Sequence, residues 1–382
     1  MADVASAAVA TGAESASRDD VALQPDLTLT NTWFADAPAS LAVSSLGPGT
    51  APLRQAYARV MEPLTPGMRR LGKMLGRLPG ASIANTTPEQ LAKRGAAKTP
   101  ELAASILMGT SPKGVAKHDC TADGVPVRVY TPAQPGEPAR AASPGHPVRP
   151  LIVYFHGGGF VFGDLRGGDW MCGTVARDLD AVVVSVDYRL APEHPFPAAV
   201  DDCYATLLWA VEHADELGAD ASKIGVMGDS AGANLSTVVA LMARDSGDVV
   251  VSHQALLYPS VGAGDTESRR QNANAYILSG ADMNKYGELY GGPYEDWRVS
   301  PIKAASLVGL PSTIIEVGGH DPLHDDGVLY AQALEKAGVD VELVEYPAMP
   351  HGFLSFPRFA RDAKAGMAAV VASQRRALLA SQ

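Results

Sequence analysis

Cysteine is scarce in this 382-residue chain: Cys120, Cys172 and Cys203 stand far apart, with no Cys-x-x-Cys pairing. That leaves neither a disulfide framework nor a thiolate zinc site, and makes a reducing compartment the default. Positive charge is also in short supply, with 31 Lys and Arg against 42 Asp and Glu and a formal net charge of −11. A nucleic-acid partner needs clustered cations on its phosphates, so no nucleic acid is expected, and the acidic balance is read as solubility. Long apolar runs are missing, since no stretch approaches about 18 uninterrupted apolar residues. The first twenty residues have no basic cluster before Arg18 and no continuous apolar core of the signal-peptide kind. The expectation is a soluble, cytoplasmic protein without stable membrane insertion.

What the chain does have is a hydrophobic fraction of 46% and 38 glycines. Its length suits one large α/β domain with an accessory piece. Residues 1–30 read as a flexible tail rich in Ala, Ser and Asp. Residues 31–114 read as a helical region. Leu53 to Met61 has a helical face, and Met68 to Leu78 places Leu71, Met74, Leu75 and Leu78 opposite Arg69, Arg70, Lys73 and Arg77. That basic face could meet an anionic lipid surface, but the segment is short and a solvated face on a packed helix is the preferred reading. Thr87-Pro88-Glu89-Gln90 and Thr99-Pro100-Glu101-Leu102 look like helix starts, the former a capping box.

From Val115 the pattern changes. Lys117 to Thr121 and Val125 to Tyr130 flank Ala122-Asp123-Gly124 as a hairpin, with Pro126 expected to confine its strand to a sheet edge. Thr131 to Pro150 reads as a surface loop. Leu151–Phe155, Val182–Val186, Ile224–Met227, Gln254–Tyr258, Thr313–Val317 and Val341–Val344 are short apolar runs separated mostly by helical segments. They predict an α/β core, a mostly parallel central sheet with flanking helices, over residues 115–382. Residues 262–305 are too long for an ordinary connection and are expected to fold over the strand ends.

Chemistry concentrates in a few of the junctions. Gly228-Asp229-Ser230-Ala231-Gly232 fits the G-x-S-x-G turn, in which a strained backbone exposes the serine hydroxyl at the start of a helix. The pentapeptide alone is weak. Its setting, between an apolar run and the helical Leu235 to Met242, favours the turn over a merely structural glycine cluster. His156-Gly157-Gly158-Gly159-Phe160 follows a strand directly, where successive glycines can point N–H groups at a ligand as an oxyanion hole requires. No G-x-G-x-x-G opens a helix, which sets a dinucleotide site aside.

A serine nucleophile needs a histidine base and an acid to orient it. Of His253, His320, His324 and His351 downstream, His351 lies in a loop soon after the last strand and is taken as the base. Asp321 follows Thr313–Val317 and is taken as the acid, while Asp325 and Asp326 are expected to cap the next helix. His320 and His324 have metal-ligand spacing, but Pro322 interrupts a helix there and no third ligand stands nearby, so no metal is expected.

Together His156–Phe160, Asp187-Tyr188-Arg189-Leu190-Ala191-Pro192-Glu193, Gly228–Gly232, Asp321-Pro322-Leu323 and His351-Gly352-Phe353 resemble the hormone-sensitive-lipase-like bacterial carboxylesterases of the GDSAG subgroup. The resemblance covers about Val115 to Gln382. It implies an α/β-hydrolase fold with an N-terminal helical cap, a triad of Ser230, Asp321 and His351, and an oxyanion hole from the N–H groups of Gly158, Gly159 and Ala231. It further implies Arg189 and Glu193 as structural ion pairs, a small-molecule ester as substrate, and no cofactor. The long N-terminus departs from the family's pattern, as does Ala233 where a third glycine is common. Rival readings are an amidase or lactonase on the same fold, or a non-catalytic ligand-binding homologue, which His351 argues against. A homodimer is left open. A cap over the site predicts an enclosed pocket for short to medium acyl chains, with Met61, Met68, Met74 and Met108 as candidate wall residues, although a core role within the cap is the preferred reading of each.

Overall fold

Runs of Val, Ile and Leu without polar alternation form strands that must be covered on both faces. In β3 (Arg149–Phe155) every residue after Arg149 is buried. Side chains alternate along a strand: Leu151, Val153 and Phe155 enter one core and Ile152 and Tyr154 the other. The structure is a computed structural model that describes residues 62–77, 82–87, 90–91, 101–133 and 149–380. The predicted tail at 1–30, the helix Leu53–Met61 and the Thr99-Pro100 start lie outside the described residues.

Eight strands form one sheet in the order β1-β2-β4-β3-β5-β6-β7-β8. The hairpin β1 (Val115–Ala122) and β2 (Val125–Pro132) is antiparallel and joins β4 (Val182–Val186) antiparallel. From β4 onward the neighbours β3, β5 (Ala219–Asp229), β6 (Val251–Leu257), β7 (Ser312–His320) and β8 (Val341–Pro350) run parallel. Asp123 and Gly124 both have positive φ, 48° and 91°, the two-residue turn whose twist suits a hairpin.

Pro126 does not mark an edge. β2 lies between β1 and β4, and Pro126 sits at its second residue, where its carbonyl accepts the Asp187 N–H just past the end of β4. The missing donor therefore falls at the end of the ladder and leaves the Val127–Tyr130 pairing with β4 intact.

Helices cover both faces. Ala198–Glu212, Ala231–Ser246 and His324–Lys336 bury their apolar sides in one core. Asp169–Leu179, Ala363–Leu379 and Pro66–Leu75 do so in the other. Pro66–Leu75 buries Leu71 as its pattern predicts and Met68 besides, but Met74, placed on the same apolar side, is 43% exposed. Thr87 and Gln90 exchange the hydrogen bonds of a capping box.

Candidate active site

β5 leads straight into Ser230, whose φ of 56° and ψ of −115° lie in a sparsely populated region. Such a conformation costs about 1–3 kcal/mol and needs its surroundings to enforce it. The Ser230 N–H donates to Leu257 O at 2.8 Å, tying the turn to β6. Gly228 and Gly232 let backbones meet: a Cβ would stand 2.2 Å from Gly232 O at the first and 1.9 Å from Phe155 O at the second. Only glycine fits there.

His351 follows β8 and Asp321 follows β7, so both reach the site from the C-terminal ends of parallel strands, as Ser230 does from β5. His351 Nε2 is 2.9 Å from Ser230 Oγ and its Nδ1 is 2.8 Å from Asp321 Oδ2. An ionised carboxylate only accepts, which assigns the proton to Nδ1 and leaves Nε2 free to accept from the serine hydroxyl. Asp321 is fully buried, and its Oδ1 accepts the Leu323 N–H at 2.7 Å. Tyr258 packs edge-on against the His351 ring with centroids 5.0 Å apart.

Gly158, Gly159, Ser230, Ala231 and His351 line one pocket of about 350 Å³. Within the described residues no acceptor takes the N–H of Gly158, Gly159 or Ala231. Ala231 begins the helix Ala231–Ser246, so its N–H is one that a helix leaves unpaired. Met108, Phe162, Phe356, and Ile277, Leu278, Met283 and Tyr286 of the segment 262–305 make much of the remaining wall apolar.

Residues 152–355 match the sequence profile of the alpha/beta hydrolase fold family. The chain belongs to that family. It is 42% identical to the carboxylic ester hydrolase LipN of Mycobacterium tuberculosis, over 64% of this chain and 68% of LipN. It is 40% identical to the esterase LipI of the same organism, over 62% of this chain and 73% of LipI. A hyperthermophilic esterase from the archaeon Pyrobaculum calidifontis has a similar structure, with a TM-score of 0.70 and 34% identity over 82% of this chain and 98% of that one. These matches agree with the resemblance to hormone-sensitive-lipase-like carboxylesterases.

Within this α/β-hydrolase fold several residues stand otherwise than expected. Asp325 and Asp326 lie in the first turn of His324–Lys336, but neither caps it, since the N-cap is Leu323 and no side chain bonds there. Asp326 turns to the segment 262–305 and the residue before it, taking Arg269 at 2.8 Å and the N–H groups of Val261 and Ala263. Asp325 accepts the Ser268 N–H. Arg189 pairs with Asp202, while Glu193 is exposed with no ion pair among the described residues. His320 meets the Glu62 carbonyl and His324 sits between Asp325 and Glu345. Of the four methionines proposed as wall residues, Met108 lines the pocket, Met68 is in the core, Met74 is exposed, and Met61 is outside the described residues.

Sequence reasoning gave no role to Asp229. Its carboxylate is buried beside the glycine loop, where Oδ1 accepts the Tyr154 O–H at 2.6 Å and the Gly157 N–H at 2.8 Å. Burial raises its pKa above the ordinary aspartate value, against the pull of those donors. Its place inside the G-x-S-x-G motif was the available signal. The partners come from β3 and the loop after it, which only the pairing of β3 with β5 brings near.

Proposed function

We propose that this protein is a serine carboxylesterase that hydrolyses short- to medium-chain esters of small molecules. The observation that carries the reading is the hydrogen-bonded chain Ser230–His351–Asp321, with links of 2.9 and 2.8 Å, opening into an apolar pocket. Ser230 Oγ attacks the ester carbonyl carbon while His351 Nε2 takes its proton. The tetrahedral intermediate then collapses, and His351 returns the proton to the leaving alkoxide. Water attacks the acyl-enzyme with His351 as base, and the acid departs as Ser230 regains its proton. Asp321 holds the ring in the required tautomer and stabilises the imidazolium. The N–H groups of Gly158, Gly159 and Ala231 receive the oxyanion, each contributing about 3 kcal/mol in the transition state. No cofactor enters a step.

The segment before β1 is read as a cap. Met108 reaches the pocket, and Ser82 Oγ and the Ala84 N–H donate to Asp282 Oδ1 on the segment 262–305. Cys120, Cys172 and Cys203 are free thiols, which supports a reducing compartment such as the cytoplasm. No helix of the described residues is long and apolar enough to cross a membrane.

The test combines turnover of 4-nitrophenyl butyrate with labelling by an organophosphonate. Wild-type protein should hydrolyse the ester and carry the label on Ser230, and Ser230→Ala should do neither. Unlabelled, inactive wild type would leave a ligand-binding homologue. A matched amide turned over as fast as the ester would make it an amidase.

A further inference from the structure

Gly157 is held on both sides by groups outside the triad. Its N–H donates to Asp229 Oδ1 at 2.8 Å, and its carbonyl lies 2.8 Å from His156 Nδ1. A carbonyl only accepts, so the proton of this imidazole is on Nδ1. Both holding groups are themselves fixed. The same Asp229 oxygen accepts the Tyr154 O–H, and a Cβ at Gly157 would stand 2.5 Å from Asp229 Oδ2. The His156 ring stacks on Tyr188 with centroids 4.3 Å apart, and a Cβ at Gly163 would stand 2.2 Å from its Nδ1.

The geometry has a consequence one bond further on. A trans peptide is planar, with its C=O and N–H pointing to opposite sides. The Gly157 carbonyl turned toward His156 therefore turns the Gly158 N–H away from that ring, and this N–H finds no acceptor among the described residues. A loop with three successive glycines has little intrinsic preference for such an orientation.

We infer that Asp229 is a positioning residue of the oxyanion hole, fixing the Gly157 N–H opposite the His156 contact to the Gly157 carbonyl so that the next peptide presents its donor to the substrate. The inference rests on the esterase reading above. Asp229 does not touch the reacting atoms. Its effect belongs to the transition state, because the donor it aims acts on charge that develops only there.

The experiment compares Asp229→Ala, Asp229→Asn and His156→Asn in two readouts, steady-state kinetics on 4-nitrophenyl butyrate and inhibition by an alkyl trifluoromethyl ketone. The ketone adds Ser230 Oγ to its carbonyl carbon and leaves an oxyanion in the hole. Asp229→Ala should lower kcat by about 10²-fold, the cost of losing one oxyanion donor, leave KM nearly unchanged, and weaken the ketone by a similar factor. Asp229→Asn keeps an oxygen that can accept from Gly157, and His156→Asn keeps a donor near the Nδ1 position, so each should retain most of both. Should Asp229→Ala fail to fold, Tyr154→Phe, which frees Asp229 from one of its two donors, should show the same parallel loss on a smaller scale. Parallel loss of kcat and ketone affinity supports the inference. Folded Asp229→Ala with wild-type kcat and ketone affinity overturns it, as does Asp229→Asn no better than Asp229→Ala. Wild type that neither hydrolyses the ester nor binds the ketone would instead remove the esterase reading itself.

Discussion

The Tyr286 ring lies so close over Gly159 that a Cβ added at Gly159 would stand 2.3 Å from its Cδ1, while one added at Gly158 would stand 2.0 Å from the Phe162 carbonyl oxygen. The first obstacle is a side chain and the second is backbone. Both glycines have positive φ, 63° at Gly159 and 125° at Gly158. Gly159→Ala should therefore lower kcat more than it raises KM, and adding Tyr286→Ala should recover part of the loss, leaving a left-handed strain of about 1–2 kcal/mol. Gly158→Ala should be as damaging with the second substitution as without it. Steady-state kinetics on the four variants decide this, and equal rescue at both positions would contradict the geometry.

In the proposed mechanism Ser230 and His351 act on one proton, so Ser230→Ala and His351→Ala should each reduce kcat by several orders of magnitude and cost little more in combination. Additive losses in the double variant would remove the assignment.

The acidic residues after β7 should separate by the kind of damage they do. Asp321→Asn leaves the site packed but favours the wrong imidazole tautomer, a loss of roughly 10⁴-fold in kcat. Asp326 is fully buried against Arg269. Breaking a buried pair from one side costs about 3–5 kcal/mol, so Asp326→Asn should lower Tm while the folded fraction keeps its kcat. Thermal melts and active-site titration distinguish the two, and a large kcat loss in fully folded Asp326→Asn would refute the division.

His324 carries a pH dependence of its own. Burial works against its charge, but Asp325 at 3.0 Å and Glu345 at 3.1 Å outweigh it and push the imidazole up to about 9. The folded protein thus binds this proton more tightly than the unfolded chain, whose histidine titrates near about 6.5. The stabilisation is complete below that value and is lost as pH rises through about 9. Urea midpoints should fall over this window in wild type and stay flatter in His324→Gln. Identical slopes would show that His324 contributes nothing.

Strands whose residues are apolar on both faces could be read from the sequence because burial alone dictates them, and β3 and β4 contain their predicted runs in full. β8 runs on to Pro350 where the apolar run ends at Val344, because its pairing with β7 continues past Val344. The convergence of Ser230, His351 and Asp321 could be read because each follows a recognisable strand. Partners distant in sequence could not. Arg189 pairs with Asp202 and not Glu193, Asp326 with Arg269, and Asp229 with Tyr154. Each depends on which elements lie side by side, a property of strand order that composition does not encode.

The pocket sets the last expectation, on substrate size and charge. Its volume of about 350 Å³ is small, and Met108, Phe162, Met283 and Tyr286 line it with apolar atoms. Rates should be highest for short to medium acyl chains, fall steeply for long-chain triglycerides, and show no jump when substrate passes its solubility limit. Among the described lining residues there is no Lys or Arg, whereas Asp164 and Asp229 are present, Asp164 with Arg166 at 3.7 Å. An anionic acyl group would meet like charge and no cation. A 4-nitrophenyl hemisuccinate should thus be slower than the neutral pentanoate by about tenfold in kcat/KM, equivalent to ~1.4 kcal/mol, and Asp164→Asn should narrow the gap. Equal rates for the two esters would put the acyl group out of reach of Asp164, and activation by emulsified long-chain substrate would overturn the size expectation.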